Sequence, residues 1–405
     1  RLEEFELPEI KDDEILVKVI SDSICMSTYK LVEQGKKHKR APQNIDSNPI
    51  IIGHEFAGDI VKVGKKWAGQ FKAGQKFAQQ PALNYKGSLA SPGYSYEFFG
   101  GACTYCIIPN EVMELGCLLN YDGESYFEAS LGEPMSCIIG GYHANYHTNK
   151  QNYHHEMGIK VGGNLLIMGG CGPMGLGAVS YGLYTKDKPN RIVVTDVNQD
   201  KIKRAREVIS EENAAERGIE LVYVNTQEMK DPIKELMKLT EGKGYDDVFV
   251  YVPIRQLAEM ADALLAFDGC MNFFAGPTDN QFKEEINLYN VHYTSTHIIG
   301  TTGGNTDDLI EALDLSSKGL IEPAVMVTHV GGIDSIAEAT LGLPNIPGGK
   351  KLTYTQFNMP LTAIDDFEEL GKSNELFKKL SDSCKSNKGL WNSEAEAILF
   401  KHFGV

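Results

Sequence analysis

The sequence predicts an α/β chain in which a doubly wound parallel sheet is inserted into a β-rich domain. Three observations predict it. Short β-like runs alternate with Gly and Pro turns up to about Pro134. From there to about Glu322, apolar runs alternate with helix-length amphipathic segments, the rhythm of βαβ units. A glycine-rich turn joins the first of these apolar runs to the helix after it. The expected organisation is a β-rich domain over residues 1–136, a nucleotide-binding domain over 137–322, and a return to the first domain over 323–405 that ends in a helical extension.

In the first part, residues 15–20, 56–64 and 103–108 carry the alternation and β-branched content of strands. In the second, the apolar runs fall at 165–168, 192–195, 221–224, 248–252, 271–274 and 297–300. Being apolar on both faces, they suit a parallel sheet covered by helices on each side. Extended texture returns at 325–329 and 351–354. From Ile364 onward, Phe367, Leu370, Leu376, Phe377 and Leu380, then Leu390, Trp391, Ala395, Ile398 and Leu399, fit two amphipathic helices packed on the body and separated by residues 386–389.

Charge excludes some partners. Lys and Arg number 39 against 55 Asp and Glu, a net charge of −16, so no basic face exists to displace counterions from nucleic acid. The one dense basic run is Lys36-Lys37-His38-Lys39-Arg40. Such runs are usually solvated, although this one can reach an anionic substrate. No apolar stretch is long enough to cross a bilayer. Eight cysteines scattered at irregular spacing point to a reducing, cytoplasmic setting rather than a disulfide framework.

The glycine turn reads Gly169-Gly170-Cys171-Gly172-Pro173-Met174-Gly175, with Gly170, Gly172 and Gly175 in G-x-G-x-x-G spacing. It follows a strand, opens a helix and precedes an acid, Asp196, at the end of the next strand. That context marks a dinucleotide site. The first glycine allows a tight turn, the second lets a pyrophosphate approach the backbone, and the third permits close helix packing, while the helix N-terminus at Pro173 and Met174 favours the anion. Asp196 suits the ribose hydroxyls and disfavours a 2′-phosphate, which tilts the cofactor toward NAD. Lys201 and Arg204 keep NADP open.

Metal-ligand types occur at three places: Cys25, the pair His54-Glu55, and Glu133. A catalytic zinc needs about three such donors and an open position. On residue types alone, Cys25 also reads as strand-end packing and Glu133 as an ordinary acid at a helix start. His143 and His147 read as polar helix residues.

Ile24-Cys25-Met26-Ser27, Gly53-His54-Glu55-Phe56-Ala57-Gly58 and Glu133-Pro134-Met135-Ser136-Cys137, followed by the glycine turn, resemble in order the medium-chain zinc-dependent alcohol and polyol dehydrogenases. Asn272-Phe273-Phe274-Ala275-Gly276-Pro277 and Gly303-Gly304-Asn305-Thr306-Asp307-Asp308 resemble the L-sorbose-1-phosphate reductase branch. The resemblance implies a GroES-like catalytic domain around a Rossmann domain. It implies Cys25, His54 and Glu55 around zinc, with Glu133 as an additional or alternating ligand. Ser27 stands where the family keeps a proton-passing hydroxyl, and Lys30 where many relatives have a relay histidine. No cysteine lies between Gln79 and Gly100, where relatives carry a structural zinc.

The function implied is hydride transfer between NAD(P)H and a ketose phosphate, L-sorbose 1-phosphate giving D-glucitol 6-phosphate, by a homodimer or homotetramer. Two other readings compete. One is a polyol or amino-alcohol dehydrogenase acting on an unphosphorylated substrate; the other is a nucleotide-binding protein without catalysis.

Overall fold

The computed structural model describes residues 2–149 and 151–405. Its contacts group them into two units, one of residues 1–134, 305–319 and 326–405, the other of 135–304 and 320–325. The helix Thr306–Ser317 thus clusters with the first unit, although it lies inside the span read from the sequence as nucleotide-binding.

The first unit is organised by the strand Ile15–Ile24, whose apolar residues are almost fully buried. It lies within an eight-stranded sheet ordered Thr362–Ala363, Val327–Gly332, Lys350–Tyr354, Ile15–Ile24, Phe56–Val63, Lys76–Gln79 and Leu118–Asn120, with Tyr105–Ile108 also pairing to its first half. Antiparallel register sets Ile24 opposite Lys351 and Asp22 opposite Phe56. Three strand ends therefore meet. Cys25 follows the first, His54 and Glu55 precede the second, and Lys350 starts the third.

The tail forms three helices rather than two: Phe367–Gly371, Glu375–Ser386 and Ser393–Phe403. The first break comes before Asn374, whose side chain accepts from the Leu376 N–H (2.9 Å) and caps the next helix. Trp391, Leu380 and Leu399 are buried. Trp391 Nε1 donates to the Tyr354 hydroxyl (2.9 Å), which donates to Glu396 (2.8 Å). Glu396 also accepts from the N–H groups of Tyr126 (2.8 Å) and Phe127 (2.9 Å). Those are orphan donors in the first turn of the helix Tyr126–Ala144, which carries Glu133. Pro134 lies inside this helix, not at its start.

The second unit holds six parallel strands ordered Glu220–Asn225, Arg191–Asp196, Asn164–Met168, Tyr245–Val250, Leu265–Phe273 and His297–Ile299. The order reverses beside Asn164–Met168, the switch point at which such sheets bind ligands. A hairpin of Tyr146–Asn149 and His154–Met157 was not foreseen. It separates the two histidines read as sharing a helix. His143 is exposed on the helix, whereas His147 is a buried strand residue whose ring meets Asp247 (3.3 Å) and the Asp268 carbonyl (3.0 Å). No helix among the described residues is long and apolar enough to cross a membrane.

Burial pushes the Glu396 carboxyl up to about 7, with its hydrogen bonds opposing the shift. A raised carboxyl means that the native state keeps a proton the unfolded chain has lost. Stability therefore falls as pH rises from the ordinary glutamate range to about 7, by about 3 kcal/mol at most. Both tryptophans, Trp67 and Trp391, lie in the first unit, so urea melts followed by their fluorescence report on it. Between pH 5 and 7.5 the wild type is expected to lose stability that Glu396→Gln does not; parallel losses would show that Glu396 does not titrate there.

Candidate active site

Cys25 is the residue at which strand becomes helix. Its backbone is extended (φ −103°, ψ 146°) and the helix Met26–Gln34 begins immediately after it. Gly53 has a φ of +88°, and a Cβ there would collide with the Asp22 carboxylate, so glycine is required for the chain to bring His54 and Glu55 to the same place. Donor atoms of Cys25, His54 and Glu55 all lie within 4.8 Å of one another. Cysteine sulfur, imidazole nitrogen and carboxylate oxygen are the donor types zinc takes, so this trio fits the ion.

Hydroxyl groups surround the trio. Ser27 Oγ donates to Cys25 Sγ (3.0 Å) and lies 3.4 Å from His54 Nε2. Tyr94 OH donates to Ser27 Oγ (2.7 Å), and Thr28 Oγ1 lies 3.4 Å from His54 Nδ1. Gln79 holds the His54 carbonyl (2.7 Å). Lys30 is half-buried on the same helix as Ser27.

Glu55 is fully buried, and its carboxylate is bound by the Lys350 ammonium and the Ser23 hydroxyl. Burial alone would raise its carboxyl, but Lys350 overrides this and holds it below the ordinary range. Lys350 is likewise buried; burial pushes the ammonium down, and the negative charges of Glu55, Cys25 and Glu133 hold it above its usual value. The Cys25 thiol is raised by burial and then by the Glu55 charge, so it becomes a thiolate ligand when a cation shares the site. Glu133 stands outside the trio of mutually close donors, yet it feels the same charges. Burial first, then Glu55, push its carboxyl up to about 7.

Two members of the site were not found in the sequence. Lys350 lies in Gly348-Gly349-Lys350-Lys351, a pattern that ordinarily reads as solvated, yet its strand sits inside the sheet, where Lys350 pairs with Val327 and both lysines are buried. Tyr94 lies in a Ser-Pro-Gly-Tyr loop with no periodicity to mark it.

In the second unit, the glycine turn follows Asn164–Met168 and leads into the helix Pro173–Gly182, with Gly172 at its N-cap and Pro173 and Met174 in its first turn. The left-handed position is Gly169 (φ +67°), so the turn is made one residue earlier than Gly170, to which the sequence assigned it. Gly170 and Gly175 pack on each other, and a Cβ on Gly175 would strike the Gly170 backbone. A Cβ on Gly172 would meet only the Gly169 carbonyl, at 3.7 Å. Space beside Gly172 at a helix N-terminus suits a pyrophosphate, so the turn fits a dinucleotide. Asp196 ends the neighbouring strand, and its Oδ1 accepts from the N–H groups of Val197 (2.8 Å) and Asn198 (3.0 Å). Its charge reaches Cys171 in the turn, whose thiol burial pushes up to about 12.

Residues 11–118 match the alcohol dehydrogenase GroES-like domain, and residues 173–318 match the zinc-binding dehydrogenase domain. The chain is 52% identical to mannitol-1-phosphate 5-dehydrogenase of Aliivibrio fischeri, over 100% of this chain and 96% of the relative. The chain belongs to the zinc-binding dehydrogenases. Within this family it is also 44% identical to L-sorbose 1-phosphate reductase of Klebsiella pneumoniae, over 99% of this chain and 95% of that one. The dehydrogenase shares its fold with 2R,3R-butanediol dehydrogenase from Bacillus subtilis (TM-score 0.70, 20% identity, covering 88% and 96% of the two chains).

Replacing Lys350 by Met in the dehydrogenase would leave Glu55 buried without its counter-charge. The metal-free variant is expected to lose about 3–5 kcal/mol of stability. Added zinc should then raise its melting temperature more than that of the wild type, because the ion supplies the missing positive charge. Equal zinc shifts in the two proteins would place Glu55 outside the ion's field.

Proposed function

We propose that this zinc-binding dehydrogenase is a cytoplasmic NAD(P)-dependent oxidoreductase that interconverts a ketose phosphate and a polyol phosphate, with L-sorbose 1-phosphate and D-glucitol 6-phosphate as the first pair to test. The observation that carries the reading is the Cys25, His54 and Glu55 trio with its hydroxyl chain, in a protein 44% and 52% identical to two enzymes named for sugar phosphates. The higher identity to the mannitol-1-phosphate enzyme favours a second pair, mannitol 1-phosphate and its ketose phosphate.

In this reading Cys25, His54 and Glu55 hold zinc, and Glu133 is an additional or alternating ligand. Bound zinc supplies a Lewis acid that stabilises negative charge on the substrate oxygen. A nicotinamide cofactor supplies or accepts the hydride. The protein's own residues manage the proton. Ser27 Oγ, receiving a hydrogen bond from Tyr94 and giving one to Cys25, is the hydroxyl that exchanges a proton with the substrate oxygen. Lys30, on the following turn of the helix, continues the path toward solvent. Gly170, Gly172 and Gly175 with Pro173 and Met174 seat the pyrophosphate, and Asp196 takes the ribose hydroxyls, favouring NAD over NADP. The active form is a homodimer or homotetramer.

Purified enzyme tested with both cofactors on L-sorbose 1-phosphate, fructose 6-phosphate, free sorbose and free sorbitol is expected to show kcat/KM about 100-fold or more higher for phosphorylated substrates. Equal values would return the unphosphorylated polyol reading. Cys25→Ser is expected to lower kcat by about a thousandfold and to lose bound metal, measured by elemental analysis. Full activity in that variant would remove zinc from the chemistry.

A further inference from the structure

The basic run at residues 36–40 does not behave as a single patch. Lys36 pairs with Asp46 (3.0 Å) on the surface, and Lys37 and Lys39 are exposed. His38 and Arg40 are part-buried and both reach Tyr94, His38 by stacking its ring at a centroid separation of 5.5 Å. Of the run's permanently charged side chains only Arg40 turns inward. Its backbone is held on both sides, the N–H donating to His38 Nδ1 (3.3 Å) and the carbonyl accepting from Ser95 Oγ (2.8 Å). Its guanidinium carbon then stands 5.1 Å from the centroid of the Tyr94 ring.

Tyr94 connects that guanidinium to the reaction centre. Its hydroxyl donates to Ser27, and its ring centroid is 5.0 Å from that of His54. Arg40 is therefore no farther from the His54 ring than those two separations placed end to end.

The Arg40 side chain, which is part-buried, also lacks at its Nε what the other described arginines have. Arg191, Arg204, Arg206, Arg217 and Arg255 each donate to a carboxylate, carbonyl or hydroxyl oxygen. Arg40 Nε is buried with no hydrogen-bond partner. The face of Tyr94 offers cation–π attraction to the plane of the guanidinium, but it accepts nothing from the N–H groups at the edge of that plane. A desolvated N–H of a cation left without an acceptor, as at Arg40 Nε, is costly to the free enzyme, and the natural complement of the fork that carries it is an anion that takes two parallel N–H bonds. A phosphate dianion is such a group, and Arg is better suited to it than Lys because its fork is rigid.

We propose that Arg40 is the specificity-determining residue for substrate phosphate, its edge N–H groups receiving the anion while the carbonyl end of the same molecule occupies the Cys25, His54 and Glu55 site. This rests on the ketose-phosphate reading above. On this assignment the neighbouring lysines add nothing to recognition, since they face solvent or already have a partner.

The test compares wild type, Arg40→Met, Arg40→Lys and the surface control Lys39→Met, each checked by thermal melt for folding. The readout is the ratio of kcat/KM for the phosphorylated ketose to that for the same ketose without phosphate. In Arg40→Met the ratio is expected to fall about 100-fold, through KM rather than kcat. Arg40→Lys is expected to lose about tenfold, keeping the charge without the fork. Lys39→Met should leave the ratio within about twofold of the wild type. Calorimetric titration with inorganic phosphate should show binding to the wild type that Arg40→Met lacks. Should Arg40→Met fail to fold, the Arg40→Lys ratio decides alone. A wild-type preference for phosphate that persists in both Arg40 variants overturns the assignment and leaves the function standing. A wild type with no preference overturns both.

Discussion

The site depends on the buried ion pair between Glu55 and Lys350. Each partner alone would be an uncompensated charge inside the protein, a burden of several kcal/mol. Together they join two strand ends that are far apart in sequence, since Glu55 precedes Phe56–Val63 and Lys350 begins Lys350–Tyr354. Ile15–Ile24 lies between those strands in the sheet and delivers Cys25 at its end. The pair thus keeps a carboxylate ionised beside a cysteine and an imidazole, in surroundings where burial alone would neutralise all three. A cation entering the site meets one carboxylate already ionised, and its own charge then favours the Cys25 thiolate.

The hydroxyl chain is arranged by the same local geometry. The helix starting directly after Cys25 places Ser27 and Thr28 in its first turn, on either side of the His54 ring. Tyr94 closes the group from a separate loop and makes contact in two directions, through its hydroxyl with Ser27 and through its ring face with Arg40. One aromatic residue therefore connects the hydroxyl group beside His54 to the Arg40 guanidinium. In the second unit the division of labour differs. There the glycines act by leaving space beside the backbone and helix end, the arrangement that suits an anion.

What was legible in the sequence was whatever local chemistry requires. The parallel strands announced themselves as runs apolar on both faces, and the turn through Gly175 could be read because close packing there admits no side chain. Cys25, His54 and Glu55 were marked by residue type and by family resemblance. Lys350 and Tyr94 were not, because their roles come from sheet register and loop path, to which a Lys-Lys pair or an isolated tyrosine gives no clue. The turn glycine was misplaced by one residue for a related reason. The spacing motif names the glycines that meet the ligand and the helix, whereas the backbone reverses at the glycine before them. The hairpin of Tyr146–Asn149 and His154–Met157 escaped notice because its strands are short and mostly polar, and the second is exposed throughout, without the alternation that betrays a half-buried strand.

The unit around the metal site is assembled from both ends of the chain, whereas most of the nucleotide-binding unit is one continuous stretch. On the ribosome, residues 135–304 emerge together and can fold as they appear. The earlier unit must wait. The second half of its strand Ile15–Ile24 has no partner on one edge until Lys350–Tyr354 is synthesised, and Glu55 has no counter-ion until that same strand arrives. The latch from Trp391 through Tyr354 to Glu396 and the Tyr126 amide closes later still. The unit that starts before the other is thus completed after it, and Cys25, His54 and Glu55 stay unassembled until Lys350 has been made.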